Sequence, residues 1–449
     1  AFMAEGRDEF PTAAMEGTEQ PLAKRNSESP TQTDSLMEEV CQRENLWKAL
    51  KRVQANKGSP GVDGMTVRQL SGYLKRHWRK IREQLLQGTY RPQPVKRVEI
   101  SKPEGGVRKL GVPTALDRFI QQAVLQVLQR RWDRTFSEHS YGFRPGRSAH
   151  QAVAQAQAYI AEGHRYTVDI DLEKFFDQVN QDMLMGRVAK RVEDKRLLRL
   201  IRAFLNTGVM ENGLVSPTEE GTPQGGPLSP LLSNLMLDDL DRELTRRGLR
   251  FVRYADDCNI YVRSRRAGER VMGSITRFIT GKLKLKVNQE KSAVARPWQR
   301  KFLGFSFTAA NEPKRRIAPK TLLRFKKRIR ELTKRNRGVS LKRMVEQLRR
   351  YLIGWHGYFG FCQTPSVLRD LDSWIRRRLR CFQWKQWKRG RTRFAELRKR
   401  GASKRQAATA AGSTHGPWHL SRSPTLNLAL PGAYFDSLGL PRLSGDRNV

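Results

Sequence analysis

Two short acidic stretches are the parts of this chain best suited to do chemistry. In Tyr254-Ala255-Asp256-Asp257, adjacent carboxylates stand between strand-like residues: Leu249, Phe251 and Val252 before them, Ile260, Tyr261 and Val262 after. At a hairpin tip such like charges repel and weaken the fold unless cations neutralise them. Asp pairs are common in turns, so this stretch alone says little. The stretch Thr167-Val168-Asp169-Ile170-Asp171-Leu172 changes the weighing. Val168, Ile170 and Leu172 share one face of a strand, and Asp169 and Asp171 share the other. An exposed edge strand would alternate in the same way, but it leaves the following Phe175-Phe176 unexplained. If this strand lies beside the 249–263 hairpin, three carboxylates converge. Such a set holds two Mg²⁺ ions about 4 Å apart, an arrangement suited to in-line phosphoryl transfer without a protein nucleophile.

The elements that must position these acids are legible around them. Gly221-Thr222-Pro223-Gln224-Gly225-Gly226-Pro227 forms a fixed loop that lets a ligand or backbone approach closely. The largely apolar LSPLLSNLMLDDL follows at once, so the loop is anchored to the core rather than adrift on the surface. Residues 95–112 read as a hairpin turning at Lys102-Pro103-Glu104-Gly105-Gly106, with Lys102 and Arg108 bracketing the turn within reach of a triphosphate. A helix is expected from Ala115 to Trp132, a strand over 165–172 and a second hairpin over 249–263. Beyond residue 310, apolar positions recur at helical spacing in three runs: Leu322 to Leu332, Leu341 to Leu352 and Val367 to Leu379.

Charge names the partner class. The formal net charge is +42 over 449 residues, which favours a polyanion such as nucleic acid. Residues 311–400 hold 29 Lys or Arg against 6 Asp or Glu, so the three helices carry basic outer faces with few acids interspersed. Residues 1–40 are acidic and poor in apolar side chains, as a loosely attached segment would be. The four cysteines are scattered without a CxxC pair, which suits a reducing compartment and neither a disulfide frame nor a zinc ribbon. No apolar run approaches a membrane span and no secretion signal is visible, so a cytoplasmic protein with no membrane partner is expected.

In order, KPEGGVRKLGVPTALDRFIQQAV, SYGFRPGRSAHQAV, VDIDLEKFFDQV, GTPQGGPLSPLLSNLMLDDLD, RYADD and KFLGF resemble the motif blocks of group II intron-encoded reverse transcriptases. LRRYLIGWHGYFG resembles a stretch of that family's maturase domain, and GSPGVDGMTV its N-terminal extension. The resemblance implies an α+β right-hand polymerase, with fingers and a mostly antiparallel palm sheet over 41–310. A three-helix α-helical thumb over 311–400 and a small DNA-binding segment over 401–449 would follow. It implies Asp171, Asp256 and Asp257 as catalytic and metal-holding, with two Mg²⁺ for which Mn²⁺ substitutes. Lys102, Arg108, Gln224 and Gly225 fall at nucleotide-binding positions, and Phe302, Leu303 and Gly304 at the primer grip. Either Phe175 or Phe176 stands where the family gates against the ribose 2′-hydroxyl. The implied partners are group II intron RNA, an RNA template with a DNA primer, target DNA and dNTPs, in a bacterial nucleoid- or ribonucleoprotein-associated setting. The tail NLALPGAYFDSLGLPRL looks like the end of family members that lack an HNH endonuclease. The rival expectations are a domesticated or other-element reverse transcriptase, working in repair or with a CRISPR system, and an RNA-binding maturase confined to splicing.

Overall fold

The computed structural model describes residues 35–101, 107–211, 214–216 and 225–445. Among the described residues ten strands run in chain order: β1 (Val95–Ser101), β2 (Val107–Val112), β3 (Tyr166–Ile170), β4 (Val209–Glu211), β5 (Leu214–Ser216), β6 (Arg250–Tyr254), β7 (Asp257–Val262), β8 (Ala293–Ala295), β9 (Phe305–Phe307) and β10 (Arg315–Ile317). The chain divides into two compact units. One runs up to Ala152 and resumes over His164–Ala295; the other comprises Val153–Gly163 and everything from Arg296.

The first unit holds two four-stranded sheets. In one, ordered β2-β1-β4-β5, the β1–β2 hairpin is antiparallel and β1 meets β4 in parallel. The other, ordered β6-β7-β3-β8, is antiparallel throughout. Val168, Ile170, Cys258 and Ile260 are buried in the core, and Thr167, Asn259 and Tyr261 on the other face are buried as well. Two long helices are part of that core. Ala115–Trp132 starts where Thr114 Oγ1 accepts the Asp117 amide at 3.0 Å, a standard N-cap. It buries Phe119, Ile120, Ala123, Val124, Val127 and Leu128. Ser229–Arg246 has a proline in its first turn and buries Leu231, Leu235, Met236, Leu240 and Leu244.

In the second unit the three predicted helices span Pro319–Leu332, Leu341–Phe359 and Pro365–Gln386. Phe325, Ile329, Met344, Leu348, Leu371 and Leu379 form its core, and Leu426, Phe435 and Leu443 from the tail join it. Among the described residues no helix is long and apolar enough to cross a membrane.

Candidate active site

The acidic hairpin closes on the pair Tyr254–Asp257, leaving Ala255 and Asp256 at the tip. Ala255 sits at φ +57°, a left-handed conformation that costs a non-glycine residue about 1–2 kcal/mol. Its surroundings hold it there. The Gly142 backbone lies so close that a β-carbon at that position would stand 2.3 Å from the Ala255 nitrogen. The Ala255 carbonyl accepts a 2.9 Å hydrogen bond from Arg253 Nη1. Arg253 is wholly buried, and its guanidinium donates to both Asp241 oxygens at 2.7 and 2.6 Å and to Asn234 Oδ1 at 3.0 Å. Asn234 Nδ2 in turn donates to the Gly142 carbonyl at 2.8 Å. The Arg253 backbone is tied on both sides, to the His139 carbonyl and to the Tyr141 amide. Burial alone would depress the Arg253 guanidinium. The Asp241 carboxylate more than offsets this and holds it above its ordinary value, so the guanidinium stays charged.

None of these supporting residues was identified from the sequence. The signal was present: Asn234, Asp238 and Asp241 recur at one-face helical spacing in a leucine-rich helix, and Arg253 follows the apolar Phe251-Val252 in the strand RFVRY.

The second acidic element lies where the hairpin needs it. β3 pairs with β7 through Asp169–Asn259 and Ile170–Cys258, and one step further Asp171 and Asp257 are next in line. Paired positions point to the same side of a sheet, so Asp169, Asp171 and Asp257 share the face opposite the core. The Asp171 amide donates to Ser292 Oγ at 3.0 Å and its carbonyl accepts the Asn288 amide at 2.8 Å, which fixes the backbone beyond the strand end. Asp169, Asp171, Asp256 and Asp257 are all half-buried. Burial pushes the neighbouring Cys258 thiol up, so it stays neutral. Register therefore aligns Asp171 with Asp257. Even so, among the described residues no three His, Cys, Asp or Glu side chains are gathered into a metal-holding group.

The other predicted positions fall as follows. Phe175 is 2% exposed and belongs to the core, whereas Phe176 is half-buried with its ring edge-on to Phe175 at 5.3 Å. Gly225 takes φ +134°, and a β-carbon there would stand 2.4 Å from the Gly111 carbonyl oxygen on β2, so only glycine fits. Arg108 pairs with Ile100 on the β1–β2 ladder. Lys102 and Gln224 lie outside the described residues.

In the second unit, Phe302 and Phe305 exchange two 2.9 Å backbone hydrogen bonds around Leu303 and Gly304. Both of these turn residues have positive φ. The Leu303 carbonyl accepts from Tyr358 Oη at 2.9 Å, and that of Gly304 from Thr321 Oγ1 at 3.1 Å.

Residues 100–307 match the family model described as reverse transcriptase (RNA-dependent DNA polymerase), and residues 322–401 match the group II intron, maturase-specific domain. The first of these domains works with divalent metal ions. Protein YkfC of Escherichia coli K12 is 32% identical over 299 residues, covering 58% of this chain and 78% of YkfC. Group II intron-encoded protein LtrA of Lactococcus lactis is 36% identical over 206 residues, covering 46% of this chain and 34% of LtrA. A putative COX1/OXI3 intron 1 protein of Saccharomyces cerevisiae is 27% identical over 224 residues, covering 50% of this chain and 27% of that protein. The match thus spans about a third of LtrA's length. With both domains present in this order on one chain, the protein belongs to the group II intron reverse transcriptase–maturase family.

Proposed function

We propose that this protein is an RNA-directed DNA polymerase that also binds its parent group II intron RNA, assisting splicing and target-primed mobility. The observation that carries the polymerase reading is the alignment of Asp171 with Asp257, next to Asp256 at the hairpin tip, on one face of the β6-β7-β3-β8 sheet. Carboxylate oxygens are the donors that Mg²⁺ and Mn²⁺ prefer, and Asp171, Asp256 and Asp257 would hold two such ions. Bound there, the metal supplies charge neutralisation at the reacting phosphate and a lowered pKa for the primer 3′-hydroxyl. The primer 3′-hydroxyl gives its proton to solvent, its oxygen bonds to the α-phosphorus of a dNTP, the bond to the bridging oxygen breaks, and pyrophosphate leaves with the displaced electron pair.

The chain's residues bind and orient these partners. Lys102 and Arg108 grip the triphosphate, Gln224 and Gly225 underlie the nucleotide, and Phe302, Leu303 and Gly304 support the primer end. Purified protein given poly(rA), oligo(dT), dTTP and Mg²⁺ should extend the primer; silence across a range of salt concentrations would overturn the reading.

Burial supports Phe176 over Phe175 as the gate. Phe175 is locked in the core, so the partly accessible Phe176 is the ring that meets the sugar of an incoming nucleotide. Phe176→Ala should raise ribonucleotide use about tenfold or more, read as the ratio of kcat/KM for NTP and dNTP. Phe175→Ala should instead cost about 3–5 kcal/mol of stability with discrimination unchanged. Relaxed discrimination in Phe175→Ala alone would move the gate to that ring.

RNA binding is supported by the maturase-domain match and by the basic helices. Lys326, Arg330 and Arg378 lie 5.4–6.0 Å from the half-buried Trp374 ring, combining cations with an aromatic face as RNA-binding surfaces do. A cytoplasmic ribonucleoprotein fits these features.

A further inference from the structure

Beside the acidic tip stands an aromatic side chain that the mechanism above does not use. Phe143 is 50% exposed, although burying a phenylalanine stabilises a fold. It also sits at φ +58°, a left-handed conformation unfavourable for an aromatic residue. Two costs at one residue persist only where the surroundings impose them.

The loop around Phe143 does impose them. On one side, Gly142 abuts the Ala255 nitrogen, with no room for a β-carbon. On the other, the buried Arg144 guanidinium is bonded to Asp133 Oδ1 at 2.8 Å and to the Ser140 carbonyl at 2.9 Å. The Phe143 carbonyl accepts from Gln129 Nε2 at 3.2 Å. These anchors leave the ring in solvent, 6.3 Å from the Tyr254 ring and inclined at 44° to it. Tyr254 is paired with Asp257 across the hairpin, so it lies on the sheet face that carries the acids.

We propose that Phe143, backed by Tyr254, is a stacking platform for a nucleobase of the bound primer–template, placed beside the acidic tip. The occupant follows from the surroundings. A chain of net charge +42 attracts a polyanion, and the reaction proposed above requires a duplex end over this face. An exposed ring there offers the flat apolar contact that bases take up with little regard to sequence. The proposal rests on the polymerase reading.

The test uses the full chain and primer–templates carrying 2-aminopurine at successive positions near the primer 3′ end, in either strand, with dNTP withheld. Wild-type protein should quench one position strongly, and the labelled strand identifies the base. Phe143→Ala should lose that quenching and weaken primer–template binding about tenfold, with an unchanged thermal midpoint, while Phe143→Trp retains both. Equal quenching and affinity in Phe143→Ala would overturn the platform alone, provided the wild type still binds and extends primers. A wild type that does not bind primer–template would overturn this proposal and the polymerase reading together. If Phe143→Ala weakens capture of a protein partner and leaves nucleic-acid binding untouched, the ring is a protein contact and the proposal fails.

Discussion

Exchanging Asp171 for Asn should lower single-turnover primer extension at least about 1,000-fold, about 4 kcal/mol of transition-state stabilisation. The fold should not suffer. The exchange preserves side-chain size, and the backbone at 171 is held independently by Ser292 and Asn288. Removing one of several like charges on a shared face should leave the thermal midpoint unchanged or slightly raised. A loss of activity at preserved stability is what separates a metal-holding carboxylate from a structural one. An Asn variant within about tenfold of wild type would remove Asp171 from the chemistry and leave an RNA-binding maturase as the better reading.

The second large effect is expected at the buried support of the acidic tip. Asp241→Ala leaves the fully buried Arg253 guanidinium without its carboxylate, a defect that costs about 3–5 kcal/mol. The thermal midpoint should fall by roughly 10 °C. Loss of stability alone would not show that the pair positions the tip. The double variant Asp241→Leu with Arg253→Met supplies that distinction, because well-packed apolar replacements of buried ion pairs are often neutral or stabilising. It should recover most of the midpoint while extension stays depressed, since the Ala255 carbonyl has lost its guanidinium donor. Recovery of activity together with stability would reduce the network to a structural role.

The local elements were legible because local patterns dictate them. The Ala115–Trp132 helix follows from its cap and apolar spacing, the 249–263 hairpin from paired apolar runs, and the three basic helices from their periodicity. The acids' common face followed from a period of two. Long-range pairings were not legible. Nothing near Val95 announces its parallel partner at Val209, and nothing near Gly142 announces Ala255. Phe175 and Phe176 were indistinguishable as types, and burial separated them. Convergence of the three acids was expected from their spacing; the register follows that expectation for Asp171 and Asp257, while the described side chains are not collected around a common centre. Strand pairing is set by backbone hydrogen bonds and the core, whereas side-chain convergence also depends on rotamers that spacing does not specify.

The interleaving of the two units along the chain bears on how the molecule is made. Residues Val153–Gly163 belong with a body whose remainder begins at Arg296. Gln157, for example, donates its amide to the Pro313 carbonyl, 156 residues downstream. At ordinary translation speeds that partner emerges from the ribosome roughly 8 to 30 s later, so the segment waits unsatisfied while its flanks fold. Cutting the gene near codon 295 would therefore orphan a piece of the second body inside the first. Halves produced separately should be less well behaved than the intact chain.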